Sequence, residues 1–139
     1  MLICLIGLGA ALLLVGVVSG TVLRHVIQIV PIAAAAGVLA RRPDWGAYAA
    51  VPIFIFWICI VGLIWLFLLG VFRIADGDYT LIEVGATVLM AGFCVVGVRR
   101  AISVGKALPP LARLFAIVLF AFVQVGAMWV SFLRPFANR

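Results

Sequence analysis

Four stretches of this chain carry no charged side chain at all: residues 1–23, 45–72, 84–98 and 114–133. A bilayer core about 30 Å thick is crossed by roughly 20 apolar residues in a helix. A soluble domain of 139 residues has no interior large enough to hide that much apolar surface. The runs are continuous, whereas the strands of a transmembrane barrel alternate with period two. Backbone polar groups in lipid must be satisfied within the segment, so helices are expected. The fold class read from the sequence is therefore all-α, a polytopic transmembrane helical bundle, with residues 1–139 forming one transmembrane domain.

Breaks in the apolar pattern set the spans. Span one runs from Leu2 to about Val18, and Ser19-Gly20-Thr21 has the residues of a tight turn. Span two is Val22–Ala40, with Pro31 near its middle. Arg41 to Gly46 reads as a loop, and span three is Tyr48–Phe72. Asp76-Gly77-Asp78 marks the next turn. Span four is Leu81–Val98, residues 99–111 form a further loop, and span five is Ala112–Leu133. The first hairpin has an alternative. One span can run to Leu23, with residues 26–40 as a half-helix or re-entrant piece broken at Pro31, which gives four spans plus a re-entrant segment. The five-span reading is preferred, because Gly20 supplies a turn and residues 22–40 are long enough to cross.

Charge excludes one class and orients the rest. The net charge is +6, yet the basic residues are scattered at span ends, with no stripe on a soluble surface, so no nucleic-acid partner is expected. Arg41, Arg42, Arg99, Arg100, Lys106 and Arg113 fall on one face of the membrane, against Arg24, Arg73, Arg134 and Arg139 on the other. The excess places the doubly basic loops in the cytoplasm and the C-terminus outside. The basic set is arginine but for Lys106, a hint of a GC-rich bacterial genome and hence of a bacterial inner membrane. The N-terminus has neither the basic start nor the cleavage site of a signal peptide, so residues 1–20 are read as a retained span. Cys4, Cys59 and Cys94 all lie in apolar runs and are expected to stay reduced.

Few residues are placed for chemistry. Arg24, His25 and Gln28 are a polar cluster inside span two, with Arg24 and Gln28 on one helical face. Glu83 lies just inside span four, and Arg24 can pair with it if five spans cross. Intramembrane ionisable groups raise a functional hypothesis by default, but near a span end they also snorkel to the interface. Gln124, deep in span five, is expected to bond to another helix, with Gln28 as one candidate. His25 is the lone histidine, which excludes bis-histidine haem within one chain and makes a histidine-rich metal site implausible. No phosphate loop or nucleophile elbow occurs. No catalytic residue, metal or cofactor is expected.

Small residues at four-residue spacing, Gly16/Gly20, Ala33/Gly37, Ala36/Ala40 and Thr87/Ala91, offer close helix contact. Spans one, two and four therefore read as the tight inner bundle. The aromatic span three reads as a lipid or partner face. The expected partners are the bilayer and another protein or a second copy through small-residue faces. The function expected is a non-catalytic accessory or assembly subunit, or a self-associating membrane component. The alternatives are a small oligomeric transporter or channel using Arg24, His25, Gln28 and Glu83, and, third, a lipid- or quinone-directed membrane enzyme.

Overall fold

The computed structural model describes residues 1–71, 79–104 and 108–133. Five α-helices follow one another: α1 (Leu2–Val18), α2 (Val22–Arg41), α3 (Pro43–Leu68), α4 (Leu81–Val104) and α5 (Pro110–Ser131). The last four are long and apolar enough to cross a membrane, and α1 is a shorter apolar helix of 17 residues. No strand occurs among the described residues. The Asp76-Gly77-Asp78 turn, Arg73, Lys106, Arg134 and Arg139 lie outside the described residues.

Two helix ends close in the same way. Gly20 and Gly70 have φ of 69° and 74°, a region that costs a side-chain-bearing residue but not glycine. After α1, Thr21 N–H donates to the Gly16 carbonyl at 2.8 Å and Gly20 N–H to Val17 at 3.3 Å. After α3, Val71 N–H donates to Leu66 at 3.0 Å and Gly70 N–H to Phe67 at 2.9 Å. Both are Schellman caps, which satisfy carbonyls that a helix end leaves open. The first hairpin is thus a full helical turnaround. α2 runs unbroken through Pro31, which is fully buried, so neither a first helix running to Leu23 nor a break at Pro31 is present. Pro31 still removes one backbone donor, leaving the Ile27 carbonyl without its i+4 N–H.

Several boundaries differ from the sequence reading. The loop expected over residues 41–46 shrinks to Arg42 alone, because α3 begins at Pro43. Proline is preorganised for a first helical position and Asp44 complements the helix dipole there. Gly46 permits the corner: a Cβ on it would collide with the Leu39 backbone. At the other loop, α4 continues through Arg99 and Arg100 to Val104, and α5 starts at Pro110.

The helices form a ring in the order α1, α2, α5, α3, α4, and α2 and α3 also touch across it. The core joins Leu5, Leu8 and Leu12 of α1, Ile32 and Ala35 of α2, Ile53, Phe54, Trp57 and Val61 of α3, and Met90 and Cys94 of α4. This corrects the expectation for α3. Its first half carries small residues on one side (Ala47, Ala49 and Ala50, all buried), so the helix comes in close and its Phe54 and Trp57 rings turn inward, while Trp65 stays exposed. The Phe54 ring fills a notch at Gly97 of α4, where any Cβ would collide with it. The α2 pair Ala33 and Gly37, by contrast, is exposed.

Candidate functional site

Alternating helix direction gathers the polar residues at one end of the bundle. The α1–α2 turn, the start of α4 and the last turn of α5 meet there. Arg41, Arg42, Arg99, Arg100 and Arg113 lie at the opposite end.

His25 faces the α1–α2 turn. Its Nδ1 lies 3.0 Å from the Thr21 carbonyl and 3.2 Å from Thr21 Oγ1. A carbonyl only accepts, so Nδ1 carries the proton and donates. Ser19 Oγ donates to the Val15 carbonyl at 2.8 Å. That leaves Thr21 Oγ1 to donate to Ser19 Oγ across 2.6 Å. Every hydroxyl proton is used, and the histidine locks the first hairpin. Its Cβ packs on Gly16, where an added Cβ would approach to 2.9 Å. The Gly16/Gly20 motif therefore serves the turn and its histidine.

Arg24 and Gln28 share a helical face, as their spacing requires, and both reach the last turn of α5. The Arg24 guanidinium carbon stands 3.9 Å from the Phe132 ring centroid, within cation–π range. Gln28 Nε2 donates to Ser131 Oγ at 3.0 Å and lies 3.3 Å from Met128 Sδ. Ser131 Oγ in turn donates to the Met128 carbonyl at 2.7 Å. Gln28 and Ser131 are buried, so this is an interhelical hydrogen bond removed from water.

Glu83 is buried too, and its carboxylate is taken up locally. Thr80 N–H and Thr80 Oγ donate to Oε2 at 2.8 and 2.9 Å, while Glu83 N–H lies 3.2 Å from Thr80 Oγ1. This is a capping box at the start of α4, with the carboxylate also complementing the helix dipole. The signal was in the sequence: Thr80-x-x-Glu83 is the capping-box pattern, overlooked when Glu83 was read as an intramembrane acid. Ser131, as the partner of Gln28, and the Trp65–Thr87 link were also missed. Trp65 Nε1 donates to Thr87 Oγ1 at 3.0 Å and ties α3 to α4.

Gln124 behaves differently. It is fully buried, and neither its Nε2 nor its Oε1 has a hydrogen-bond partner. The expected bond to Gln28 does not form, because Ser131 and Met128 occupy that amide. Trp57 Nε1 is likewise buried without a partner. Each residue lies fourteen positions beyond the first residue of its helix. As α3 and α5 are parallel neighbours, the two occupy similar depth.

The polar residues thus divide into two groups. Arg24, His25, Gln28 and Glu83 gather at one end of the bundle, each with close structural contacts. Gln124 and Trp57 present polar atoms in mid-bundle. Compared with protein-family models, with curated proteins and with solved structures, the chain matches none.

Proposed function

We propose that this is a non-catalytic integral membrane protein that acts through assembly, as an accessory subunit or as a self-associating component. One observation carries the reading: the side chains best suited to chemistry are engaged in holding helices together. His25 closes a turn, Gln28 bonds across to α5, and Glu83 caps α4. A group committed to fold-defining contacts is a poor carrier of substrate or protons. The exposed Ala33/Gly37 side of α2 supports association, since small residues let helices approach closely. The arginine-rich end lies in the cytoplasm and the C-terminus outside, in a bacterial inner membrane. The arginine excess supports that orientation.

A small oligomeric transporter is the second reading. Its support is the buried, unpartnered amide of Gln124 together with Trp57 Nε1, since buried polar groups are rarely left unsatisfied. One experiment separates the two. The Gln124→Leu variant removes the deep amide while roughly keeping bulk, and it leaves the contacts of His25, Gln28 and Glu83 in place. Expressed in a deletion strain, with abundance checked in the membrane fraction, it is expected to restore the wild-type phenotype. Normal abundance with lost function would sink the assembly reading and favour transport.

A further inference from the structure

At the arginine end, an open groove of about 750 Å³ lies where α5 begins beside α3. Its wall includes Trp45 of α3 and Pro109, Leu111, Leu114, Phe115 and Val118 at the start of α5. Leu111, Leu114, Phe115 and Val118 follow helical spacing, so this wall descends about 10 Å from the helix end. The groove is open along one side, with Leu111, Leu114 and Phe115 each more than half exposed. The wall offers essentially no hydrogen-bond donor or acceptor, so its occupant there must be a hydrocarbon.

Basic residues flank these lining residues in the chain. Arg42 is exposed at the single-residue junction between α2 and α3, three positions ahead of Trp45. Arg113 is held beside the groove: its Nε donates to the Leu108 carbonyl at 2.6 Å, and its guanidinium carbon lies 5.6 Å from the Tyr48 ring centroid. Arg41 is exposed next to Arg42. Asp44 is the one acidic residue among the described residues at this end.

We propose that this groove is a binding site for an anionic phospholipid, with an acyl chain along Leu111, Leu114, Phe115 and Val118 and the phosphate against Arg42 and Arg113. A hydrocarbon trough with a cationic mouth is complementary to a molecule with an anionic head and apolar tails. Guanidinium groups present paired donors that match phosphate oxygens. Trp45 sits at the boundary, where an indole is favoured at headgroup depth. A zwitterionic lipid would gain the trough but not the charge. Inorganic phosphate would gain the charge but not the trough.

The test is thermal melting of the purified protein in a neutral detergent with added dioleoyl phosphatidylglycerol. Near a hundredfold excess over the dissociation constant, the melting midpoint is expected to rise by about 9 °C. Dioleoyl phosphatidylcholine and inorganic phosphate should each leave it nearly unchanged. Arg42→Gln/Arg113→Gln should abolish the rise, and Leu114→Trp, which fills the trough, should reduce it. Should those variants fail to fold, native mass spectrometry of the wild-type protein in equal mixtures of the two lipids provides the comparison, with at least tenfold retention of phosphatidylglycerol expected. Equal effects of the two lipids, or a full rise in the double-arginine variant, would overturn the proposal. So would a rise with phosphate alone, or a lipid-independent midpoint that climbs with protein concentration, which would assign the groove to a second copy.

Discussion

Helices α3 and α5 have similar sequences in outline, both long, uncharged over most of their length and rich in Phe and Trp, yet they occupy opposite positions. α3 lies at the heart of the ring, touching α2, α4 and α5, with Phe54 fully enclosed. α5 rests on α2 and α3 and turns Phe115, Phe122 and Trp129 outward, with Phe122 74% exposed. Hydrophobicity cannot separate them, because lipid is as apolar as a protein core and provides no hydrophobic force between helices. Shape and polarity do. α3 enters the centre on its small-residue half, and α5 is anchored by Ser131, which accepts a hydrogen bond from Gln28 of α2. In a membrane, the inward side of a helix is marked by its smallest and its most polar residues.

The largest expected effect tests the centre. Phe54→Ala vacates roughly 100 Å³, which at about 24 cal/mol per Å³ costs about 2.4 kcal/mol. Phe122→Ala on α5 should cost nothing measurable, because its ring meets no tight protein notch. Reversible unfolding in detergent or bicelles compares the two. Equal losses would mean that α5 is packed as closely as α3.

The next effect concerns the anchor. Gln28→Leu and Ser131→Ala each break the α2–α5 bond, and a double-mutant cycle should return a coupling of about 0.6 kcal/mol and at most about 1.7. Strictly additive losses would show that the bond does not hold α5. Trp65→Phe should cost about the same, through the Thr87 bond to α4.

The smallest effect is expected at Gln124. Replacing an unsatisfied buried amide with an apolar side chain of similar size is near neutral or stabilising. Gln124→Leu should therefore change unfolding free energy by less than about 0.5 kcal/mol. A loss above about 1.5 kcal/mol would reveal a bonding partner for that amide and remove the observation that supports the transporter reading.

Much of the architecture was legible from residues alone. Charge-free runs located the helices, and Gly20 located the first hairpin, because both obey local rules that hold whatever surrounds them. The boundary at Pro43 was legible in principle, as proline at a helix start, but was masked by the polar look of residues 41–46. The burial of α3 was not legible, since aromatic side chains suit lipid and core alike. Among site residues, the shared face of Arg24 and Gln28 followed from helical spacing. Their partners on α5 did not, because the ring order of helices depends on long-range packing. The fate of Glu83 was readable in its own neighbourhood, from Thr80.

The unequal helices have a consequence for the surrounding lipid. α1, with 17 residues, is about 26 Å long, whereas α3, with 26, is about 39 Å. A hydrocarbon layer about 30 Å thick matches neither, and each ångström of mismatch costs a fraction of a kcal/mol. Helices that share one bundle cannot each adjust by free tilting. A bilayer that α1 crosses would therefore have to thin beside it, while α3 would tilt or extend past the hydrocarbon boundary. Copies placed with their thin sides together would then share one deformation instead of making two.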